Sequence, residues 1–141
     1  MPYSVKKVDV WAGAIEDRAG GLAAKLEPLA ATGTNFEFAV ARRDQPGTGL
    51  MFLEPIKGAK QTKAAAAAGL AKAMEIGALK VAGPDKPGLC AKVAKALGDA
   101  GINIRALSAM ALGKQCVMYV AFDTVDDAAK GAKAVSKALS K

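Results

Sequence analysis

The segment at residues 85–89, together with the more distant Asn103, carries the residue types that a small-molecule site needs. The segment Asp85-Lys86-Pro87-Gly88-Leu89 combines a carboxylate, a cation and a glycine directly before a helical pattern. Glycine lets a backbone come close to a ligand, and the free amides at the start of a helix attract a carboxylate. Asp85 could accept hydrogen bonds from an ammonium group, and the amide of Asn103 could bond to either end. The sequence therefore predicts a site for a zwitterion, with the Gly88 and Leu89 amides holding its carboxylate.

Each of these residues also has a purely structural interpretation. Pro87 fits the first helical position, where a missing N–H costs nothing, and Asp85 could cap the helix. Pro87 and Gly88 could form only a turn, and Asn103 could serve the bend between helix and strand. The residues alone leave both interpretations open.

Histidine is absent from the chain, and this excludes much chemistry. No imidazole is available for a Ser-His-Asp or Cys-His nucleophile, or for the commonest zinc sites. Cys90 and Cys116 lack metal-site spacing and lie in apolar segments, which favours a buried, reduced pair, although a disulfide stays open. Asp17 and Asp85 are the only carboxylates that look placed for a site. We therefore expect a protein without catalytic activity, metal or cofactor.

Composition predicts a globular, basic protein. Of the 141 residues 52% are apolar, and no apolar run approaches the roughly 20 residues of a membrane span. The N-terminus MPYSVKK lacks the apolar core of a signal peptide, so we expect a cytoplasmic protein. The net charge is +7, but lysines at spaced helix positions favour a solvated face over a nucleic-acid interface.

An internal repeat organises the chain. Asp17-Arg18-Ala19-Gly20-Gly21 aligns with the 85–89 segment at an offset of 68, and Asn35 aligns with Asn103 at the same offset. A matching Asp and a matching Gly-x-Asn at one and the same offset are not expected by chance. We therefore predict two copies, residues 1–76 and residues 77–141.

Each copy shows the pattern βαββα. The predicted elements of the first copy are a strand at Lys7–Ala12, a helix bent or shortened near Glu27 by Pro28, strands at Phe36–Ala41 and Leu50–Leu53, and a helix at Ala59–Met74. Those of the second copy are a strand at Ala78–Gly83, a helix from Leu89 closed by a left-handed Gly101, strands at Ile104–Leu112 and Cys116–Phe122, and a helix at Val125–Ser140 capped by Thr124.

This pattern is most of a ferredoxin-like βαββαβ unit. We predict an α+β protein of two tandem modules, each an antiparallel sheet of three or four strands with helices on one face. One strand fits between Met74 and Gly88, so Ala78–Gly83 either closes the first module or opens the second. Both faces of strand 115–122 are apolar, which indicates either a second covered face or an all-apolar central strand.

The second copy resembles an ACT domain. Asp85-Lys86-Pro87-Gly88-Leu89 and Gly101-Ile102-Asn103-Ile104 look like its strand–helix–strand signature, and the first copy follows it more loosely. The resemblance implies a stand-alone tandem ACT protein, a regulatory protein that binds a small molecule, often an amino acid, between modules. Such modules commonly pair side by side, so it also implies a homodimer, with a regulated enzyme or a transcription partner. The implied ligand-binding residues lie in a strand-to-helix loop and at the start of a neighbouring module's second strand: Asp85, Lys86, Pro87, Gly88 and Leu89 with Asn103 and Ile104, and Asp17, Arg18, Gly20 and Gly21 with Asn35.

The first copy departs from this pattern, since Ala19 replaces the proline and Gly21 replaces the leucine. Its site is therefore expected to be the weaker one. Two alternatives remain: an RNA-binding module, because RRM domains share this fold, or a purely structural assembly module. The RNA alternative has only Tyr119 and Phe122 as stacking candidates, without the RNP1 pattern.

Overall fold

The structure, a computed structural model, describes residues 2–73 and 76–140 and divides the chain into two compact units. The N-terminal module is Asp9–Ala73, and the C-terminal module comprises Met1–Val8 with Met74–Lys141. The expected boundary between residues 76 and 77 therefore needs one correction. The first eight residues belong to the C-terminal module and not to the first.

Each module has one four-stranded antiparallel sheet and two helices. The elements within the described residues are β1 (Ser4–Val8), β2 (Trp11–Glu16), α1 (Gly21–Ala30), β3 (Phe38–Gln45), β4 (Thr48–Glu54), α2 (Gly58–Ala67), β5 (Ala71–Lys72), β6 (Gly77–Pro84), α3 (Leu89–Asp99), β7 (Ile104–Leu112), β8 (Gln115–Phe122) and α4 (Val125–Leu139). The strand orders are β3-β4-β2-β5 and β1-β6-β8-β7. The predicted α+β class and the tandem ferredoxin-like modules are confirmed.

The predicted strand Lys7–Ala12 is in fact two strands that join different sheets. β1 pairs with β6 from Ser4↔Ala82 to Val8↔Ala78, whereas β2 pairs with β4 and β5. Tyr3 and Val5 pack against the C-terminal core, and Trp11 and Ile15 pack against the N-terminal core. The Ala78–Gly83 strand therefore opens the second module, and β1 fills its fourth strand position.

Both helices of the N-terminal module differ from their predicted lengths. α1 continues through Pro28 to Ala30, so the predicted shortening near Glu27 is wrong. Pro28 lacks the N–H that would donate to Ala24 O, so α1 loses one hydrogen bond there but does not end. α2 ends at Ala67 and is followed by Gly69 in a left-handed conformation. Its predicted last residue, Met74, lies outside the described residues.

The helices of the C-terminal module follow their sequence signals closely. Leu89, Val93 and Leu97 are all buried on one face of α3, as their spacing of four predicts. Gly101 takes the expected left-handed conformation, with a φ of 75°. The Thr124 side chain caps α4 by accepting a hydrogen bond of 3.0 Å from the Asp127 amide. These local signals position the loop before α3.

Candidate ligand-binding site

The loop between the first strand and first helix of the repeat has the same backbone turn in both modules. Gly88 and Gly20 are the residues before α3 and α1, with φ values of 82° and 83°. The Leu89 amide donates to Lys86 O at 3.2 Å, and the Gly21 amide donates to Arg18 O at 3.0 Å. The sequence repeat is therefore also a repeat of loop geometry.

Each loop is tied to the hairpin turn of its own module. The Asp85 amide donates to Lys114 O at 2.9 Å, and the Asp17 amide donates to Gly47 O at 3.2 Å. In the C-terminal module the Tyr3 hydroxyl also donates to Pro84 O at 2.7 Å. These bonds hold the backbone in place, and both aspartates are exposed residues.

The loop before α3 differs from the sequence-based picture in three details. Pro87 does not occupy the first helical position, because α3 begins at Leu89 with Gly88 as its N-cap. Asp85 does not cap the helix, since no side chain bonds to that end. The Leu89 amide is used by the turn, whereas the Gly88 amide donates to no acceptor within the described residues. Of the two predicted carboxylate donors, only Gly88 is thus available.

Asn103 and the Asp85–Leu89 loop lie at opposite ends of the same sheet. Pro84, at the loop end, pairs with Gln115, while Gly77 and Ile104 both pair with Phe122. The eight residues of β6 separate the two ends by about 23 Å. Asn103 and Ile104 can therefore meet such a loop only in another module.

The same separation holds in the N-terminal module. Glu16, which leads into the 16–21 loop, pairs with Thr48, whereas Phe38 pairs with Glu54 at the far end of β4. Asn35 precedes Phe38 in the chain and so lies at that far end. A loop and an Asn of one module do not form a site by themselves in either copy.

The electrostatics of the two loops differ more than their shapes. Asp17 Oδ2 lies 2.5 Å from Arg43 Nε, and this pairing raises the pKa of the arginine. The Arg18 guanidinium binds Glu16 and holds the pKa of that carboxyl below its usual value. Asp85 forms no ion pair with any residue of ranges 2–73 and 76–140. A free carboxylate is thus offered by the C-terminal loop and not by Asp17.

A cavity of about 560 Å³, open to solvent on one side, lies on the N-terminal module beside its loop. Of the predicted site residues it is lined by Arg18 and Gly21. Glu16, where this loop begins, also lines it, and sequence reasoning missed the rest of the lining: Ala14, Ile15, Ala24, Lys25, Pro28, Gly47, Thr48, Ala67 and Ala68. The available signal was Lys25, which stands where the second copy has the core residue Val93.

The two cysteines are free and lie in different environments. Cys116 is buried, and this burial is the main cause that raises the pKa of its thiol. The nearby Asp85 and Cys90 raise the same pKa further by charge repulsion. Cys90 is exposed, contrary to the expected buried pair, because it lies on the solvent side of the first turn of α3. The described part of the chain holds no cluster of three or more potential metal ligands.

The aromatic side chains of β8 do not suit base stacking. Tyr119 is 7% exposed and Phe122 is fully buried. The RNA-binding alternative therefore loses the two residues on which it depended. As to membranes, none of the helices in the described residues has the length and apolarity to span one.

Comparison with known proteins agrees with this fold. Residues 78–141 match the family model of the ACT domain, which confirms the resemblance of the second copy. A Bacteroides thetaiotaomicron protein of known structure is similar with a TM-score of 0.75 and 18% identity, over 94% of this chain and 90% of its own. The regulatory subunit of aspartate kinase from Thermus thermophilus gives a TM-score of 0.67 and 15% identity, over 98% and 97%.

A third similar structure is a larger protein. The aspartate kinase of Clostridium acetobutylicum gives a TM-score of 0.64 and 18% identity, and the match covers 96% of this chain but 33% of the kinase. Among curated protein sequences, none matches this chain. At identities this low, the likeness to the solved structures concerns the fold.

Proposed function

We propose that this chain, whose residues 78–141 match the family model of the ACT domain, is a non-catalytic regulatory protein that binds an amino acid at the loop before α3. The observation that carries the proposal is the chemistry of this loop. Its backbone is held by hydrogen bonds at Pro84 and Asp85, while the Asp85 carboxylate has no ion-pair partner in the described residues. An ammonium group would bind this carboxylate, and the Gly88 amide would bind the ligand's carboxylate.

A second copy of the chain would complete the site. β7 is an edge strand of its sheet, and Leu107, Met110 and Leu112 on it are 36%, 69% and 78% exposed. A long apolar edge of this kind favours pairing with another strand. If two β7 strands pair antiparallel, the start of one lies beside the end of the other. Asn103 and Ile104 of one copy would then lie at the loop end of its partner's sheet.

The similar structures support a regulatory role. One of them is the regulatory subunit of aspartate kinase, and the present chain aligns with nearly all of it. By analogy this chain would transmit ligand binding to an enzyme or a transcription partner in the cytoplasm. A ligand that binds one arrangement of the partners more tightly would shift the population toward it.

The ligand proposal is tested by thermal shift and calorimetry with the twenty amino acids on the full chain. At least one amino acid should raise the unfolding temperature, and Asp85→Asn should weaken its binding about tenfold through loss of a charged hydrogen bond. Asp99→Asn is the matched control, since Asp99 is an exposed carboxylate further along α3. If no amino acid binds, or if both variants bind as tightly as the parent, the proposal is wrong.

The shared site is tested by sedimentation equilibrium. Met110→Lys and Leu112→Lys should weaken both the dimer and amino-acid binding, because charges on both copies would repel across the β7 edge. Val125→Lys is the control, since Val125 is 52% exposed at the start of α4, away from this edge. A dimer that survives the β7 variants would show that Asn103 does not reach the loop in this way.

A further inference from the structure

The N-terminal module has a much smaller core than its repeat. Among the described residues its buried apolar cluster consists of Leu29, Met51, Leu53, Ala65 and Leu70, against thirteen residues in the C-terminal module. The cavity of about 560 Å³ lies in this module, between β2, α1, the 47–48 turn and the end of α2. A volume in the range of 300–1,000 Å³ is typical of small-molecule pockets.

The cavity follows from specific differences between the copies. Lys25 on α1 stands where α3 has Val93, which is fully buried. Ala68 lies eleven residues after the N-cap Lys57 of α2, as Val135 lies eleven residues after the N-cap Thr124 of α4. Val135 is fully buried, so the shorter side chain of Ala68 leaves core space open.

Two further features keep this space open. α2 has ten residues and α4 has fifteen, so the last turn of α4, with buried Leu139, has no helical counterpart. Gly21 replaces Leu89, and a Cβ atom at Gly21 would lie 2.1 Å from Glu16 O. The backbone of the loop thus excludes a side chain at this position.

The charged groups at the cavity carry a net charge of +1. Glu16 and Arg18 form an ion pair and neutralise each other. Lys25 Nζ donates to Ala68 O at 2.8 Å, and this acceptor is an uncharged carbonyl at the end of α2. The ammonium group therefore has two further donors, and the Glu16 carboxylate, which is already paired with Arg18, also interacts with it electrostatically. An anion can bind there without breaking an ion pair.

The remaining walls are largely apolar. Ile15, Ala24, Pro28, Ala67 and Ala68 contribute hydrocarbon surface, and Thr48 adds a hydroxyl. Such walls favour an apolar body, with the single charge at one end of the ligand.

We propose that this cavity is a second site, separate from the loop before α3, and that it binds a small monocarboxylic acid with an apolar body. The carboxylate binds Lys25, with Arg18 beside it, and the apolar body lies between α1 and α2. The two sites differ in chemistry, because the loop before α3 offers a free carboxylate and the cavity offers a free cation.

The test uses hexanoate as the probe, with hexan-1-ol and hexylamine as uncharged and cationic analogues. Titrations of the full chain are followed by amide chemical shifts. Hexanoate should shift amides of α1, the end of α2 and the 47–48 turn, and should bind at least about tenfold more tightly than either analogue. Absence of shifts in these segments, or equal binding of all three probes, overturns the proposal.

Matched variants test the location. Ala24→Leu should fill the cavity and abolish hexanoate binding, whereas Ala23→Leu, on the same helix but outside the lining, should not. Lys25→Met should weaken binding about tenfold, whereas Lys63→Met on α2 should not. Hexanoate that binds Ala24→Leu and Lys25→Met as it binds the parent contradicts the proposal, and Lys25→Met remains informative if Ala24→Leu fails to fold.

The two proposals fail separately. Asp85→Asn should leave hexanoate binding unchanged, because Asp85 does not line the cavity. Ala24→Leu should leave amino-acid binding unchanged for the converse reason. Loss of hexanoate binding in Asp85→Asn would show that the two ligands share one site and would overturn the assignment of the cavity.

Discussion

Substitution of Tyr3 tests the assignment of the N-terminal strand to the C-terminal module. The Tyr3 ring packs against Gly83, and a Cβ atom there would lie 2.3 Å from Tyr3 Cδ1. Its hydroxyl donates to Pro84 O at 2.7 Å, at the start of the site loop. Tyr3→Ala removes both contacts, and Tyr3→Phe removes only the hydrogen bond.

The expected cost follows from these two contacts. A single hydrogen bond contributes about 1 kcal/mol to the free energy of unfolding. Truncation of a fully buried aromatic ring costs about 3–5 kcal/mol, and Tyr3 is half-buried, so about 2 kcal/mol remains. Tyr3→Ala should therefore destabilise the C-terminal module by about 3 kcal/mol and Tyr3→Phe by about 1 kcal/mol.

Amide hydrogen exchange measures where this loss falls. Protection of β6 and β8 should drop about a hundredfold in Tyr3→Ala and about fivefold in Tyr3→Phe, while protection of β3 and β4 should not change. Lys6→Ala, an exposed position in β1, is the control. If Tyr3→Ala lowers the protection of β3 and β4 and spares that of β6, the residues up to Val8 belong to the N-terminal module.

Two glycines and the two cysteines give further predictions. Gly98→Ala should raise the free energy of unfolding by about 0.5–1 kcal/mol in urea titrations, because an added Cβ in α3 meets nothing within 4 Å. Gly21→Ala should lower it by about 1–3 kcal/mol, because its Cβ would lie 2.1 Å from Glu16 O; equal effects of the two substitutions would refute the packing argument. Iodoacetamide at about pH 8 should modify Cys90 long before Cys116, because burial raises the pKa of the Cys116 thiol, and mass spectrometry of peptides would show the reverse order if this is wrong.

The elements of the second copy could be predicted from sequence because their signals are local. Strand β6, helix α3 and the hairpin of β7 and β8 lie within one or two residues of their predicted bounds. Apolar spacing of four, a left-handed glycine and a threonine cap each act within a few residues of the chain. The loop before α3 was located by the same kind of signal.

The division of the first strand could not be predicted in this way. Tyr3, Val5, Trp11 and Ile15 are all compatible with strands, and no glycine or proline separates β1 from β2. What separates them is their pairing, and Val8 of β1 pairs with Ala78, seventy residues away. The β-strand propensity of a segment does not determine which of two distant strands it pairs with.

The cavity could not be predicted from the sequence, because it arises where the N-terminal module lacks the large apolar side chains that fill the core of the other module. Lys25 and Ala68 are ordinary residues in a helical segment. Their importance becomes clear only when they are compared with Val93 and Val135, which fill the equivalent positions of the other core. Pro28, which the sequence marks as a helix breaker, is accommodated in the last turn of α1 and lines the cavity instead.

Residues outside the two loops change the charge that each loop offers to a ligand. The loops share a left-handed glycine, a bond to the hairpin turn and an aspartate, and they differ in sequence at Ala19 and Gly21. Arg43, at the end of β3, occupies the aspartate of the first loop, whereas the aligned position of the second copy is Ala111. An Arg43→Ala variant should therefore free Asp17 and make the first loop resemble the second. If Arg43→Ala acquires no further amino-acid binding, then Asp85 binds through more than a free carboxylate, and the Asn103 of a second copy becomes the determining residue.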